Sequence, residues 1–216
     1  MYKIGILNSK GGVGKSTIAI NLAYSFTIDN YRTFVADADL QGSARDWSAK
    51  NEGNILTVLG FDRKTLAKDF HSIQSAYDFA IIDSSSQLNE IVVEIINASN
   101  ILIIPVTPSP YDVWATKDVL DLVKERQKFD DKLKAYLLIN RYIANTKIVK
   151  NIDKDIAKIL EGYDVKLFKS RVMQRQVYLS SINEGITVFH SQNPQAIEEM
   201  LNLKSEIVGY KDGLYY

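Results

Sequence analysis

The stretch "NSKGGVGKST", Asn8 to Thr17, constrains this chain more than any other. It follows "YKIGIL", an apolar run that reads as a buried strand, and precedes "IAINLAYSF", which reads as a helix. A glycine-rich turn between strand and helix that ends Gly14-Lys15-Ser16 is the pattern of a phosphate-binding loop. Gly11, Gly12 and Gly14 permit positive φ, so backbone N–H groups can point inward at phosphate oxygens. The helix that begins near Lys15 adds its positive dipole end. In this pattern Lys15 reaches the β- and γ-phosphates and the Ser16 hydroxyl ligates Mg²⁺. Thr17, one residue on, is suited to the α-phosphate. Two features depart from the simplest form: the match begins at Ser9 rather than glycine, and there is a second lysine, Lys10.

Strand-like and helix-like segments alternate along the whole chain. The expected strands are "YKIGILNS", "RTFVADAD", "ILTVLG", "FAIIDSS", "ILIIPVTP", "AYLLINRY" and "VKLFKSR". Helices are expected from Ser16, near Ala44–Lys50, over "RKTLAKDFHSIQ", "NEIVVEIINAS" and "YDVWATKDVLDLVKERQKF", and over "KNIDKDIAKILEG". Two more close the chain, around "QVYLSSINEG" and "PQAIEEMLNLKSEIV". The strands are near-continuous apolar runs, as helices on both faces demand. Alternating βα units imply a mostly parallel, twisted sheet with right-handed crossovers. No repeat or linker-like composition shift is visible, so the expectation is a single α/β domain over 1–216.

Composition narrows the classes. With no cysteine, the chain offers no disulfide framework, thiolate zinc site or iron–sulfur cluster. The N-terminus lacks the pattern of a secretory signal, and no apolar run approaches membrane-spanning length. A cytoplasmic protein is expected, with no membrane as partner. Lys+Arg and Asp+Glu balance at 26 each, which argues against coating nucleic acid with the whole surface. The balance is uneven, however. Residues 117–175 carry fifteen Lys/Arg against nine Asp/Glu, a net of +6. Solvated helix faces explain most such runs.

"KGGVGKST" resembles the deviant phosphate loop of the MinD/ParA superfamily. In that family the early lysine, here Lys10, acts across a homodimer that sandwiches two ATP molecules. The resemblance therefore implies an ATP-binding set of Lys10, Gly11, Gly12, Val13, Gly14, Lys15, Ser16 and Thr17. "FVADADLQGS" looks like the family's D-x-D-P-Q segment, with Asp37 and Asp39 matching and Leu40 in place of the usual proline. There Asp39 would position the attacking water. "YDFAIIDSSSQ" looks like the Walker B strand, so Asp83 would hold the Mg²⁺ hydration shell, with Ser16 and Asp39 beside it. "LLINRY" matches the adenine-side asparagine, here Asn140. Read from the residues alone, Asp37 is as well explained by bonding to loop backbone, and Asn140 by satisfying a turn. Tyr111 and Trp114 are equally compatible with an interface loop and with core packing. His71 and His190 have no ligand-spaced partners and read as surface or packing residues.

The resemblance runs along essentially the whole chain, and with no N-terminal helix-turn-helix extension expected it is closest to the short, ParF-like ParA class. It implies a weak, Mg²⁺-dependent ATPase whose catalytic residues are Lys10, Lys15 and Asp39. Its ATP-bound dimer would bind double-stranded DNA without sequence preference and be stimulated by a ParB-like adaptor, giving a nucleoid-associated location. Plasmid or chromosomal DNA is the expected cargo, and a protein assembly such as a carboxysome or chemotaxis cluster the alternative. Arg171 matches a DNA-binding arginine of the family; Lys166, Lys169 and Arg175 lie near it. A second family arginine in the last helix has no clear counterpart, Lys204 being the nearest cation. Related GTPases read guanine with a carboxylate that "INRY" does not offer. A MinD-like, membrane-recruited ATPase is a further alternative, disfavoured because the chain ends in the short, weakly basic "VGYKDGLYY". Tyr210, Tyr215 and Tyr216 only faintly resemble a tyrosine-kinase tail. A scaffold that binds ATP and barely hydrolyses it is the non-enzymatic alternative.

Overall fold

The computed structural model describes residues 1–144 and 149–213. Among these, the strands are β1 (Tyr2–Ile6), β2 (Thr33–Ala38), β3 (Thr57–Gly60), β4 (Phe79–Ser84), β5 (Ile101–Val106), β6 (Lys134–Ile139) and β7 (Lys166–Leu167). They form one sheet in the order β3-β2-β4-β1-β5-β6-β7. Every pairing of these strands is parallel. β2, β4 and β5 are buried along their entire lengths, which is why their sequences run apolar instead of alternating.

Helices cover both faces. On one lie α1 (Lys15–Thr27), α2 (Ser43–Lys50), α8 (Gln176–Asn183) and α9 (Pro194–Lys211), packed through Ile18, Phe26, Trp47, Met200 and Ile207. On the other lie α3 (Leu66–Ile73), α4 (Glu90–Ala98), α5 (Pro110–Trp114), α6 (Lys117–Gln127) and α7 (Val149–Leu160). Their core includes Phe70, Ile95, Leu120 and Ile156. Seven parallel strands between two helical layers make this a single-domain P-loop-type α/β fold, as the alternating pattern implied.

Three expectations change. The single helix expected over residues 111–129 is two, α5 and α6. Thr116 at the break is fully buried, its N–H turns to an i−3 bond on Val113 O at 3.2 Å, and its hydroxyl donates to the same carbonyl. Tyr111 and Trp114 are not core residues: they are 77% and 62% exposed and meet edge to face. Lys204 is buried, and its ammonium donates to Ser25 O at 3.1 Å and to Asp29 at 2.7 Å, so it is part of the α1–α9 packing and not a surface cation. The histidines behave as packing and surface residues: His190 lies against Tyr24 and His71 is exposed. Tyr215 and Tyr216 lie outside the described residues.

The α4 side of the sheet approaches β1 closely at Gly5. A Cβ there would stand 2.6 Å from Ser99 Oγ and 2.8 Å from a Leu102 methyl carbon. Overpacking of this kind costs about 1–3 kcal/mol. Gly5→Ala should lower the unfolding free energy by that amount in urea titrations. A loss below roughly 0.5 kcal/mol, the range of neutral surface changes, would mean that β1 and α4 are not packed this tightly.

Candidate nucleotide site

The parallel register builds the site. Asp83, near the end of β4, pairs with Ile6 at the end of β1 and with Asp37 on β2. The three strands thus deliver the loop after β1 and two carboxylates to one edge. Carboxyl ends of strands are where open α/β sheets bind ligands.

Asn8 shapes the start of the loop. Its amide donates to Pro105 O at 2.8 Å, and its Oδ1 accepts from Lys10 N at 2.9 Å. Gly14 ends the loop at φ +92° and precedes α1. A Cβ on Gly14 would stand 2.3 Å from Asn140 Nδ2, so glycine is required on two counts. Asn140 Nδ2 donates to Val13 O at 2.7 Å, and its Oδ1 accepts from Arg141 N at 2.9 Å. Asn140 therefore braces the loop through Val13, whatever it offers a base.

Lys15 is buried, and its ammonium donates to Lys10 O at 3.1 Å. Burial lowers its pKa, against the opposing pull of Asp83 and Asp39. Asp83 is fully buried and neither carboxylate oxygen has a hydrogen-bond partner in the chain. Burial pushes its carboxyl up to about 7; the nearby Ser16 hydroxyl and Lys15 oppose this, while Asp37 and Asp39 add to it. An unpaired buried carboxylate beside a lysine and a serine hydroxyl fits a hydrated Mg²⁺. That ion takes few protein ligands and keeps its waters and phosphate oxygens. Among the described residues no three His, Cys, Asp or Glu side chains converge as a metal cage, which is compatible with such a site.

Asp37 settles on the structural side. It is fully buried, accepts from Arg45 N at 2.9 Å and Asp39 N at 3.1 Å, and faces the Arg45 guanidinium. Asp39 stands one turn further out, half-buried, with one oxygen accepting from Gln41 N at 2.9 Å. Leu40 beside it is 66% exposed.

Lys10 is exposed, but its ammonium is not free. Its ammonium is ion-paired to Asp112, which also accepts from the Thr107 hydroxyl. Asp112 is largely buried at the start of α5. Sequence reasoning missed this residue, which fell without comment inside the helix expected over "YDVWATKDVLDLVKERQKF".

Beside the loop is a cavity of about 190 Å³ walled by Gly14, Thr17, Asn140, Gln174, Arg175 and Tyr178. Glu199 holds its outer wall, accepting from Met173 N at 3.1 Å, Arg175 Nε at 2.7 Å and Tyr178 OH at 2.8 Å. Arg175 thus belongs to the pocket wall, which corrects its grouping with the outer cations. Arg171 lies elsewhere: its Nη2 donates to both carboxylate oxygens of Asp153, at 2.8 and 2.9 Å, and its guanidinium lies over the Tyr142 ring. Lys166 and Lys169 are exposed. The four cations therefore do not form one free patch.

A glycine loop on a helix N-terminus, with a buried lysine and an unpaired carboxylate, defines a P-loop nucleotide-binding protein. The chain belongs to the CobQ/CobB/MinD/ParA nucleotide-binding domain family, whose model matches residues 4–188. It is 27% identical over 213 residues to maintenance of carboxysome distribution protein A of Halothiobacillus neapolitanus, covering 96% of each chain. The fold matches apo McdA of Cyanothece at TM-score 0.79 and 15% identity, over 96% of this chain and 99% of that one. It also matches cobyrinic acid a,c-diamide synthase of Mycobacterium smegmatis, bound to an ATP analogue and magnesium, at TM-score 0.78 and 14% identity, over 99% and 96%.

The raised pKa of Asp83 has a signed consequence. Between its ordinary value of 3.8 and about 7, the folded chain keeps a proton that the unfolded chain has lost. Stability from this group is therefore greatest at acid pH and declines as pH rises through about 7. Asp83→Asn removes the penalty. Its melting temperature, measured without Mg²⁺, should gain on the wild type from pH 5 to 7 and hold that gain above pH 7. A difference constant from pH 5 to 8 would mean that Asp83 is not a desolvated titrating acid.

Proposed function

We propose that this chain is a Mg²⁺-dependent ATPase of the ParA type, which uses ATP-gated pairing of two copies to position a cargo along DNA. The observation that carries the reading is the convergence of Lys15, Ser16 and the unpaired Asp83 under one phosphate loop. Backbone N–H groups of residues 10–17 would cradle the phosphates, and Lys15 would supply their main counter-charge. Ser16 and the carboxylate of Asp83 would hold the ion. Bound Mg²⁺ would screen charge that builds on the transferring phosphoryl oxygens. Asp39, on a short turn beside that point, would orient the attacking water.

Lys10 is the gate in this reading. Asp112 neutralises it in the single chain. To reach a nucleotide on a second copy it must exchange that carboxylate for phosphate. The exposed Leu40 lies in the turn after β2, and the exposed Tyr111 and Trp114 lie on α5, which follows β5, at the end of the sheet where the second copy would close. The full-length likeness to the carboxysome distribution protein favours a protein assembly as cargo over plasmid or chromosomal DNA. DNA is then the track, contacted through the basic 117–175 region, with Lys166, Lys169 and Arg171 among the contacts. That would give a nucleoid-associated location. Arg171 must loosen from Asp153 to take part. A ParB-like adaptor would trigger hydrolysis.

Three variants separate the parts. Lys15→Ala should weaken ATP binding by about thirtyfold or more, since an uncompensated phosphate charge costs about 2–5 kcal/mol. Lys10→Ala should bind ATP yet fail to dimerise or hydrolyse it. Asp112→Asn should dimerise at lower ATP concentration, because Lys10 is already released. Calorimetry, light scattering with a slowly hydrolysed analogue and phosphate release read the three steps. Undiminished ATP affinity in folded Lys15→Ala would sink the site assignment, and normal dimerisation of Lys10→Ala would sink the gate.

DNA binding should need ATP and fall steeply with salt. Each phosphate contact contributes roughly 0.9 to the log–log slope. Arg171→Ala should flatten that slope by about one contact per chain without loss of dimerisation. Anisotropy on an arbitrary duplex at several salt concentrations decides it; equal binding without nucleotide would remove DNA from the cycle.

A further inference from the structure

On the face away from α1, helices α4 and α6 leave a groove of about 610 Å³ between them. Its floor is apolar: Leu88 and Val93 are 41% and 43% exposed, and Leu122 lies half-buried between them and the core. Its walls carry Glu90, Asp118, Asp121 and Glu125, and among the described residues no cationic side chain lines it. The nearest cations sit outside. Lys64 pairs with Glu90, Lys128 pairs with Glu125 at 2.6 Å, and Lys124 lies over the Tyr163 ring. Tyr163 OH donates to Asp121 at 2.6 Å. Lys64, Glu90, Glu125 and Lys128 are exposed, so these pairs are weak and exchangeable.

The chain is neutral overall and basic between residues 117 and 175, so four acids around an apolar trough are not the average surface. We infer that the α4–α6 groove docks a basic amphipathic segment of a partner protein. Aliphatic side chains of that segment would seat on Leu88, Val93 and Leu122 while its Lys or Arg side chains meet the four carboxylates. Charge decides the occupant. DNA and anionic lipid surfaces are repelled by this rim. A second copy of the chain laid groove to groove would bring eight acids together.

The position ties the groove to the site. Leu88 and Asn89 end the segment that leaves Asp83, and Asn89 caps α4 by accepting from Ile91 N at 3.1 Å and Val92 N at 3.3 Å. α6 follows α5, which holds Asp112 against Lys10. A segment wedged between these helices bears on both loops. It is thus a place from which an activating partner could act, a role that rests on the ATPase reading, whereas the docking itself does not.

The test uses the full chain and a fluorescent amphipathic peptide of Leu and Lys at helical spacing, with a Leu/Glu peptide of the same pattern as counterpart. The Leu/Lys peptide should bind and the Leu/Glu peptide should not. Val93→Asp and the double variant Asp118→Lys/Glu125→Lys should each weaken binding at least tenfold while ATP affinity is unchanged. Glu198→Lys, an exposed acid on α9, should bind as the wild type does. Equal loss in Glu198→Lys, or no loss in the groove variants, would reduce the effect to general charge and overturn the site. Light scattering of the same variants guards against the other occupant: if Val93→Asp abolishes self-association without weakening the peptide, the groove is a contact between copies. ATP titration of each variant keeps a failed groove distinct from a failed ATPase.

Discussion

The structure turns on one costly placement: a carboxylate, Asp83, sealed at the end of a central strand with neither oxygen bonded to the chain. Taking a charge out of water without a partner is unfavourable enough to shift its protonation instead. That is what its raised pKa expresses. The buried Lys15 next to it has the opposite problem, and burial moves its pKa the other way. Each group is poorly served by the chain and well served by a ligand that carries both negative oxygens and a cation. The site is therefore a pair of unmet electrostatic demands held in fixed positions. Fixed positions are what convert binding into catalysis, because nothing has to reorganise when charge moves.

Holding those demands in place takes most of the polar residues nearby. Asn8 ties the loop to β5, Asn140 ties it to β6, and Asp37 ties the turn after β2 to Arg45. Glu199 does the same for the pocket wall from α9. These side chains lie close to the site, yet much of their hydrogen-bonding capacity is spent on the frame. Asp39 differs, with one oxygen engaged by its own turn. Two aspartates two residues apart thus differ in burial and in bonding: Asp37 is sealed in the frame, and Asp39 is half-buried at its edge.

This division marks what was legible in the sequence. The loop, the strand that ends at Asp83 and the alternation of strands with helices are local patterns, and each survives because parallel sheets make buried strands uniformly apolar. The α5–α6 break was not legible, because it depends on Thr116 being buried beneath neighbours that the local pattern does not name. Neither was the Lys10–Asp112 pair, which joins residues 102 positions apart. Arg175 read as one more surface cation until Glu199 turned it into the pocket wall. Long-range pairing, rather than residue type, decided these cases.

Net neutrality, finally, is a sum that conceals arrangement. The cations of the 117–175 region and the acids around α4 and α6 overlap in sequence, since Asp118, Asp121 and Glu125 lie within that basic run. On α6 the helical repeat separates them: Asp118, Asp121, Leu122 and Glu125 recur at three- and four-residue intervals and share one stripe, whereas Lys117, Lys124 and Lys128 do not line the groove. A count over a segment cannot resolve such a helix, because opposite charges one residue apart point roughly 100° apart around it. The +6 is thus a poor guide to where a polyanion would sit. It takes no account of the α6 side, where acids face the groove, or of the region around Lys166 and Lys169, where the nearby Arg171 is partly offset by Asp153. Field, not composition, selects partners. On that ground a net charge of zero excludes neither a polyanion nor a basic segment, because each would be drawn to a different part of the surface.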